Sequence, residues 1–151
     1  MSAQVTGENG ADCPQFTSLV TEAYTGGFSI KEIVADKAYT SRENYNLANE
    51  IGAVPYIPFK SSTTGKARGS LFWTKMYHYF MLNREEFLKH YHQRSNVETA
   101  FNMIKMKFGD RLKSKNWTAQ QNELLCKLIC HNVCVLIQEM YALGVKPNFG
   151  L

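Results

Sequence analysis

Several features that would direct the reading elsewhere are missing from this sequence. No apolar stretch runs uninterrupted for the roughly 18 residues of a membrane span, and residues 1–15 lack the basic-then-apolar pattern of a secretory signal. There are four cysteines, and three of them crowd into one segment as Cys126, Cys130 and Cys134, which is not the dispersed framework of a small disulfide-stapled domain. Internal repeats and low-complexity tracts are also lacking. These absences lead us to expect a soluble, cytoplasmic protein with reduced thiols and no membrane partner. With 151 residues, 44% of them hydrophobic and 20% charged, the chain can bury one ordinary core but not two independent ones.

What is present is an uneven charge. Residues 1–59 carry 3 Lys/Arg against 7 Asp/Glu, residues 60–115 carry 12 against 4, and residues 116–151 carry 2 of each, so the net +4 hides a segment of −4 followed by one of +8. The basic middle also holds Phe72, Trp73, Tyr77, Tyr79 and Phe80. Clustered cations with aromatics suit a nucleic-acid surface, and equally a solvated basic face.

Along the chain, Ala3–Thr6 reads as a short strand running into a turn at Gly7, Asn9 and Gly10. Asp12 with Pro14 opens a helix whose apolar stripe is Phe16, Leu19, Val20 and Ala23 and whose end is Gly26-Gly27. Ile33-Val34-Ala35 reads as a buried strand ending at Asp36. Ser41 caps a helix carrying Tyr45, Leu47, Ala48 and Ile51 that stops at Gly52. Val54–Ile57 follows as a strand, with Pro55 suggesting an edge or a strand end. Lys60–Gly69 has the composition of a flexible loop, and helices are expected at about 70–89, 92–108 and 118–143. Strand alternating with helix over about residues 1–60, then helices over about 70–145, argues for one α/β domain. Two or three strands are too few for a stable sheet, so the remaining ones are expected upstream of residue 1.

If the helix around residue 98 is continuous, Tyr91, Arg94, Glu98 and Lys105 fall within about 60° on one face. Val97, Phe101, Ile104 and Phe108 form a neighbouring apolar stripe that would press the helix into a core. A phenol, guanidinium, carboxylate and ammonium on one stripe fit a site. They also fit an Arg94–Glu98 surface pair contributing about 0.3–0.5 kcal/mol, with an incidental Lys.

The string Tyr91-His92-Gln93-Arg94-Ser95-Asn96-Val97-Glu98, with Lys105 seven residues on, resembles the Tyr-(2)-Arg-(3)-Glu-(6)-Lys signature of bacterial and archaeal insertion-sequence transposases of the Asp-Asp-Glu type. Ile33–Tyr39 is similar to that family's strand ending in its second catalytic Asp, and Gly52–Pro58 to the strand that follows. Ala119–Glu123 through His131-Asn132 is similar to its closing helix. The resemblance implies a ribonuclease H-like mixed sheet with flanking helices, in which three carboxylates hold two Mg²⁺ or Mn²⁺ ions. Two such cations would stabilise the attacking and leaving oxygens of a phosphodiester displacement together. It makes Asp36 and Glu98 two catalytic metal ligands, and Arg94 and Lys105 phosphate contacts, with Tyr91 helping to position the strand; Lys107, two residues on, is expected as a further phosphate contact. It implies DNA as partner (transposon ends and target) and action at the nucleoid, while an unpaired edge on so small a sheet argues for self-association. One departure stands out. The only Asp before Asp36 is Asp12, which suits a helix cap better than a metal site, so the chain is expected to be a C-terminal portion lacking the first Asp and catalytically incomplete alone. A DNA-binding remnant without chemistry, and a helical interaction module, are the rival readings.

The remaining chemistry-bearing residues read more plainly. Cys126, Cys130, Cys134 and His131 share helical spacing, but the surrounding apolar segment argues for buried core thiols over a metal site. His78, His90 and His92 read as surface or phosphate-facing groups, Lys37 as a phosphate contact or a solvated residue, and the run Phe72–Phe80 as helix packing.

Overall fold

The computed structural model describes residues 15–146; the expected strand at Ala3–Thr6 and the Asp12–Pro14 helix start lie outside them. The chain divides into two compact units, Met1–Asn96 and Val97–Leu151.

In the first unit, α1 (Gln15–Thr25) buries Phe16 and Val20 and ends where Gly27 takes φ +86, with the Phe28 N–H reaching back to the Ala23 carbonyl. Only glycine takes that left-handed position at low cost. Strand β1 (Glu32–Val34) leads to a 3-10 turn, Lys37–Tyr39. Helix α2 (Arg42–Glu50) starts at Ser41, whose Oγ accepts from the Asn44 N–H at 3.1 Å, and ends at Gly52. Strand β2 (Val54–Tyr56) pairs with β1 in parallel, Ile33 opposite Pro55, and among the described residues these two form the whole sheet. Both strands are therefore edges, which is where a residue with no N–H can sit. The described residues are mostly helical around this small parallel pair.

Helices α3 (Leu71–Leu82) and α4 (Arg84–Tyr91) replace the single helix expected at 70–89. Asn83 leaves helical geometry (φ −117, ψ 47). Glu85 and Glu86 in the first turn of α4, with Lys89 and His90 in its last, suit a new helix dipole starting there. Trp73, Met76 and Phe80 are buried at spacings of three and four, so the aromatic run serves helix packing. They meet Phe16, Tyr45, Phe59 and Phe87 in one aromatic core. Phe59 stands edge-on to Trp73 (4.9 Å, 85°) and Tyr77 (5.3 Å, 81°), and Tyr45 edge-on to Trp73 (5.2 Å, 71°). Such edge contacts add about 0.5–1.5 kcal/mol each beyond burial. The fully buried Tyr45 hydroxyl donates to the Ile57 carbonyl, and burial raises its pKa far above the ordinary phenol range.

The segment 60–69, expected as a flexible loop, is instead anchored. The Trp73 Nε1–H donates to the Thr64 carbonyl (3.1 Å), Thr74 Oγ1 to that of Gly65 (2.8 Å), and Arg42 to that of Lys66 (3.1 Å) while its guanidinium stacks over Trp73 at 4.6 Å. A Cβ on Gly65 would stand 2.6 Å from the Tyr77 ring, so this glycine is required for close approach rather than for flexibility.

Helix α5 (Ser95–Phe108) starts in the last two residues of the first unit and continues in the second, which also holds α6 (Trp117–Ala142). Asn116 Oδ1 caps α6 by accepting from the Ala119 N–H at 2.8 Å. The loop before α6 is fastened by Glu123, whose carboxylate accepts from the backbone N–H groups of Lys113 (3.0 and 2.9 Å) and Ser114 (2.9 Å). Lys127 Nζ donates to the Arg111 carbonyl at 2.8 Å and lies 3.4 Å from Glu123. By length and composition α6 could cross a membrane, yet the two charges in its first half are both engaged with this loop. The thiols are a correction: Cys126 and Cys130 are exposed and Cys134 is half-buried, because at about 100° per residue they turn off the face that buries His131. On α5, of the apolar stripe, Ile104 is buried while Val97 and Phe101 stay exposed.

Tyr45→Phe keeps the packing but leaves the buried Ile57 carbonyl without its donor, and chemical denaturation should show a loss of about 1–3 kcal/mol. For Glu123, its backbone donors hold the pKa down to about 2 from 4.5. A depressed carboxylate pKa contributes stability that is complete above 4.5 and is lost as pH falls toward 2. Amide NMR of Lys113 and Ser114 should report that titration, and Glu123→Gln should abolish it.

Candidate functional site

Asp36 stands two residues past the carboxyl end of β1. In parallel α/β sheets, ligands gather at that end of the strands. Its Oδ1 accepts from the Ala38 N–H (3.1 Å), capping the turn Lys37–Tyr39. The turn is fixed in its own right: Thr40 Oγ1 donates to the Pro58 carbonyl (2.8 Å), Asn44 Nδ2 to that of Tyr39 (2.8 Å), and the Tyr39 ring lies 6.0 Å from Phe16. A half-buried carboxylate is thus held in one orientation by backbone and core contacts. Lys37 beside it is exposed.

Tyr91 and Arg94 belong to the same unit. Tyr91 is the last residue of α4 and packs half-buried against the aromatic core. Arg94, also half-buried, ends a 3-10 turn, His92–Arg94, that separates α4 from α5. A 3-10 turn advances about 120° per residue rather than 100°. The single stripe drawn on a continuous helix from Tyr91 therefore does not hold across residues 92–94. Along α5 the spacing does hold. Glu98, in the first turn, and Lys105, in the last, are seven residues apart and share a face, both exposed. Lys107 lies nine residues from Glu98, about half a turn round, and borders a cavity of about 380 Å³ with Met103, Met106 and His131. The imidazole of His131 is buried, and its Nδ1 has no hydrogen-bond partner.

The histidines divide. His78 and His92 are exposed, as expected. His90 is not a simple surface group. Its Nδ1 lies 3.1 Å from Glu32 Oε2, and its ring stacks flat on Tyr56 (4.3 Å, 5°). Burial first, then the neighbouring Tyr79 and Glu32, pushes the Tyr56 phenol up to about 12. Sequence reading missed this cluster because Glu32 and His90 are 58 residues apart.

A largely apolar cleft of about 440 Å³ beside β2, bordered by Tyr56, Lys75 and Tyr79, contains none of the candidate site residues. Among the described residues no group of three or more His, Cys, Asp or Glu side chains is arranged to hold a metal ion.

Comparison with known proteins gives one match. A family model described as "Transposase DDE domain" matches residues 1–133. No curated protein and no solved structure matches. The matched region takes in most of the chain, including β1, Asp36, the 91–105 signature and the first half of α6. The chain belongs to the DDE transposase-domain family.

Proposed function

We propose that this chain takes part in DNA transposition by the metal-dependent cleavage and strand transfer of its family, with Asp36 and Glu98 as two of the carboxylates that hold Mg²⁺ or Mn²⁺. The observation that carries the reading is Asp36: a carboxylate oriented by its own backbone turn, at the carboxyl end of a parallel strand, inside the matched region. Parallel strands flanked by helices support the ribonuclease H-like assignment. The 91–105 spacing supports the insertion-sequence subtype with the Tyr-Arg-Glu-Lys signature.

The donor chemistry fits the ions. Asp36 and Glu98 offer hard carboxylate oxygens, which Mg²⁺ and Mn²⁺ prefer over thiol or imidazole. When bound, such cations stabilise the nucleophilic and leaving oxygens of a phosphodiester displacement. The protein's own part is to orient. Arg94 presents a planar fork and Lys105 a point charge for phosphate oxygens, Tyr91 helps to position the strand, and Lys107 lends charge from the other side of α5. Exposed apolar side chains on α6, among them Ile129, Leu136 and Ile137, support self-association. Action on DNA places the protein in the cytoplasm, at the nucleoid.

The family chemistry needs a third carboxylate, and Asp12 is the only Asp preceding Asp36. The chain alone should therefore bind DNA without nicking it in Mg²⁺ or Mn²⁺. Adding the strands of a related element that carry the first Asp should restore nicking, and Glu98→Gln should remove it again. A chain that nicks by itself, with dependence on both Asp36 and Glu98, would point to Asp12 as the third ligand, tested by Asp12→Asn. Binding that persists while no added strand restores cleavage would favour the DNA-binding remnant instead.

For the binding step, Lys105→Ala with Lys107→Ala should weaken affinity for all duplex sequences alike. The slope of log K against log salt should fall by about 0.9 for each phosphate that is no longer neutralised. Lys105, on the Glu98 face, should contribute the larger share. An unchanged slope would make these lysines bystanders.

A further inference from the structure

We propose that His90 and Glu32 are positioning residues that set the DNA-binding geometry of Arg94; the inference rests on the DNA-binding reading above. Three contacts converge on the last turn of α4. The His90 Nδ1 is 3.1 Å from Glu32 Oε2 on β1, the His90 ring lies flat on Tyr56 of β2 at 4.3 Å, and Tyr56 stands edge-on to Phe87 of α4 at 5.3 Å. The last turn of α4 is thereby tied to both strands. Tyr91 follows His90 directly, and Arg94 is four residues on, at the end of a 3-10 turn in which Ser95 Oγ donates to the His92 carbonyl at 2.8 Å. Glu32 in turn stands four residues before Asp36 on the same strand and turn.

The consequence is mechanical. A 3-10 turn has weaker hydrogen-bond geometry than an α-helix and gives little orientation of its own. How the end of α4 is held therefore sets where the backbone of Arg94 stands, from which its side chain leaves. A planar guanidinium loses its bidentate fit to phosphate when its anchor swings, whereas a lysine on a flexible stem tolerates the same displacement. Core packing alone does not explain the pair. The side chains of His90 and Glu32 are 29% and 37% exposed, so their link contributes direction more than burial.

The test is a double-mutant cycle on duplex DNA binding by the full chain, with thermal melting measured in parallel. His90→Phe retains the flat ring on Tyr56 and breaks the Glu32 link, and Glu32→Ala breaks it from the other side. Each should weaken binding about three- to tenfold with little change in melting temperature, and the two together should weaken it no more than either alone. His90→Asn, whose amide can reach the Glu32 carboxylate, should recover part of the loss. Arg94→Ala should cost less in the His90→Phe background than in the wild type, because His90 acts through Arg94, while Lys105→Ala should cost the same in both. Full additivity of His90→Phe with Arg94→Ala, or wild-type binding by His90→Phe, overturns the proposal and leaves the DNA-binding reading standing. A wild-type chain with no salt-dependent duplex binding overturns both.

Discussion

The aromatic packing around Phe59 is the interaction on which the rest of the first unit depends. Phe59 follows β2 by three residues, and it fixes α3 through Trp73, Tyr77 and Phe80 and α2 through Tyr45. Four rings from two helices thus converge on a residue supplied by the chain just after the sheet. Two strands of three residues each could not hold a shape alone. They are held because the aromatic cluster clamps α2 and α3 onto them, and Tyr45 closes the joint with a buried hydrogen bond to Ile57. The orientation of Asp36 is inherited from that clamp, since the turn it caps is tied to Pro58 by Thr40 and to α2 by Asn44.

The candidate residues fall into two physical kinds. Asp36, Tyr91 and Arg94 are half-buried at the ends of elements, Asp36 held by the turn it caps and Tyr91 by the aromatic core. Glu98, Lys105 and Lys107 are exposed along α5. The first kind can be precise before a ligand arrives. Glu123 illustrates a third use of charge in the same chain: a carboxylate with a depressed pKa whose work is to fasten a loop.

What was legible in the sequence was local. The cap at Ser41, the glycine stops after α1 and α2, the strand leading to Asp36 and the helix packing of the run Phe72–Phe80 depend on neighbours a few residues away. The 91–105 spacing was enough to bring the family into view. What was not legible depends on distant partners or on small departures from ideal geometry. Gly- and Ser-rich composition at 60–69 predicted a flexible loop because the donors from Arg42, Trp73 and Thr74 cannot be seen in the segment itself. The Cys126–Cys134 spacing shows that the residues share a helix, but not which face that helix buries. The break at Asn83 and the 3-10 turn at 92–94 shift helical phase without any proline or glycine to announce them, so the stripe through Tyr91 looked continuous. The pairing of Glu32 with His90 spans most of the first unit and left no local trace.

The proposed function names Asp36 and Glu98 as ligands for Mg²⁺ or Mn²⁺. Iron-mediated cleavage of the polypeptide tests it without requiring DNA or turnover. Fe²⁺ substituted for Mg²⁺, with ascorbate and peroxide, cuts the backbone beside the groups that hold it. The account predicts cuts in two segments, around residue 36 and around residue 98, both suppressed by excess Mg²⁺ and both abolished in Asp36→Asn. Cuts confined to one of the two segments, or a pattern around residue 98 that survives Asp36→Asn unchanged, would contradict it.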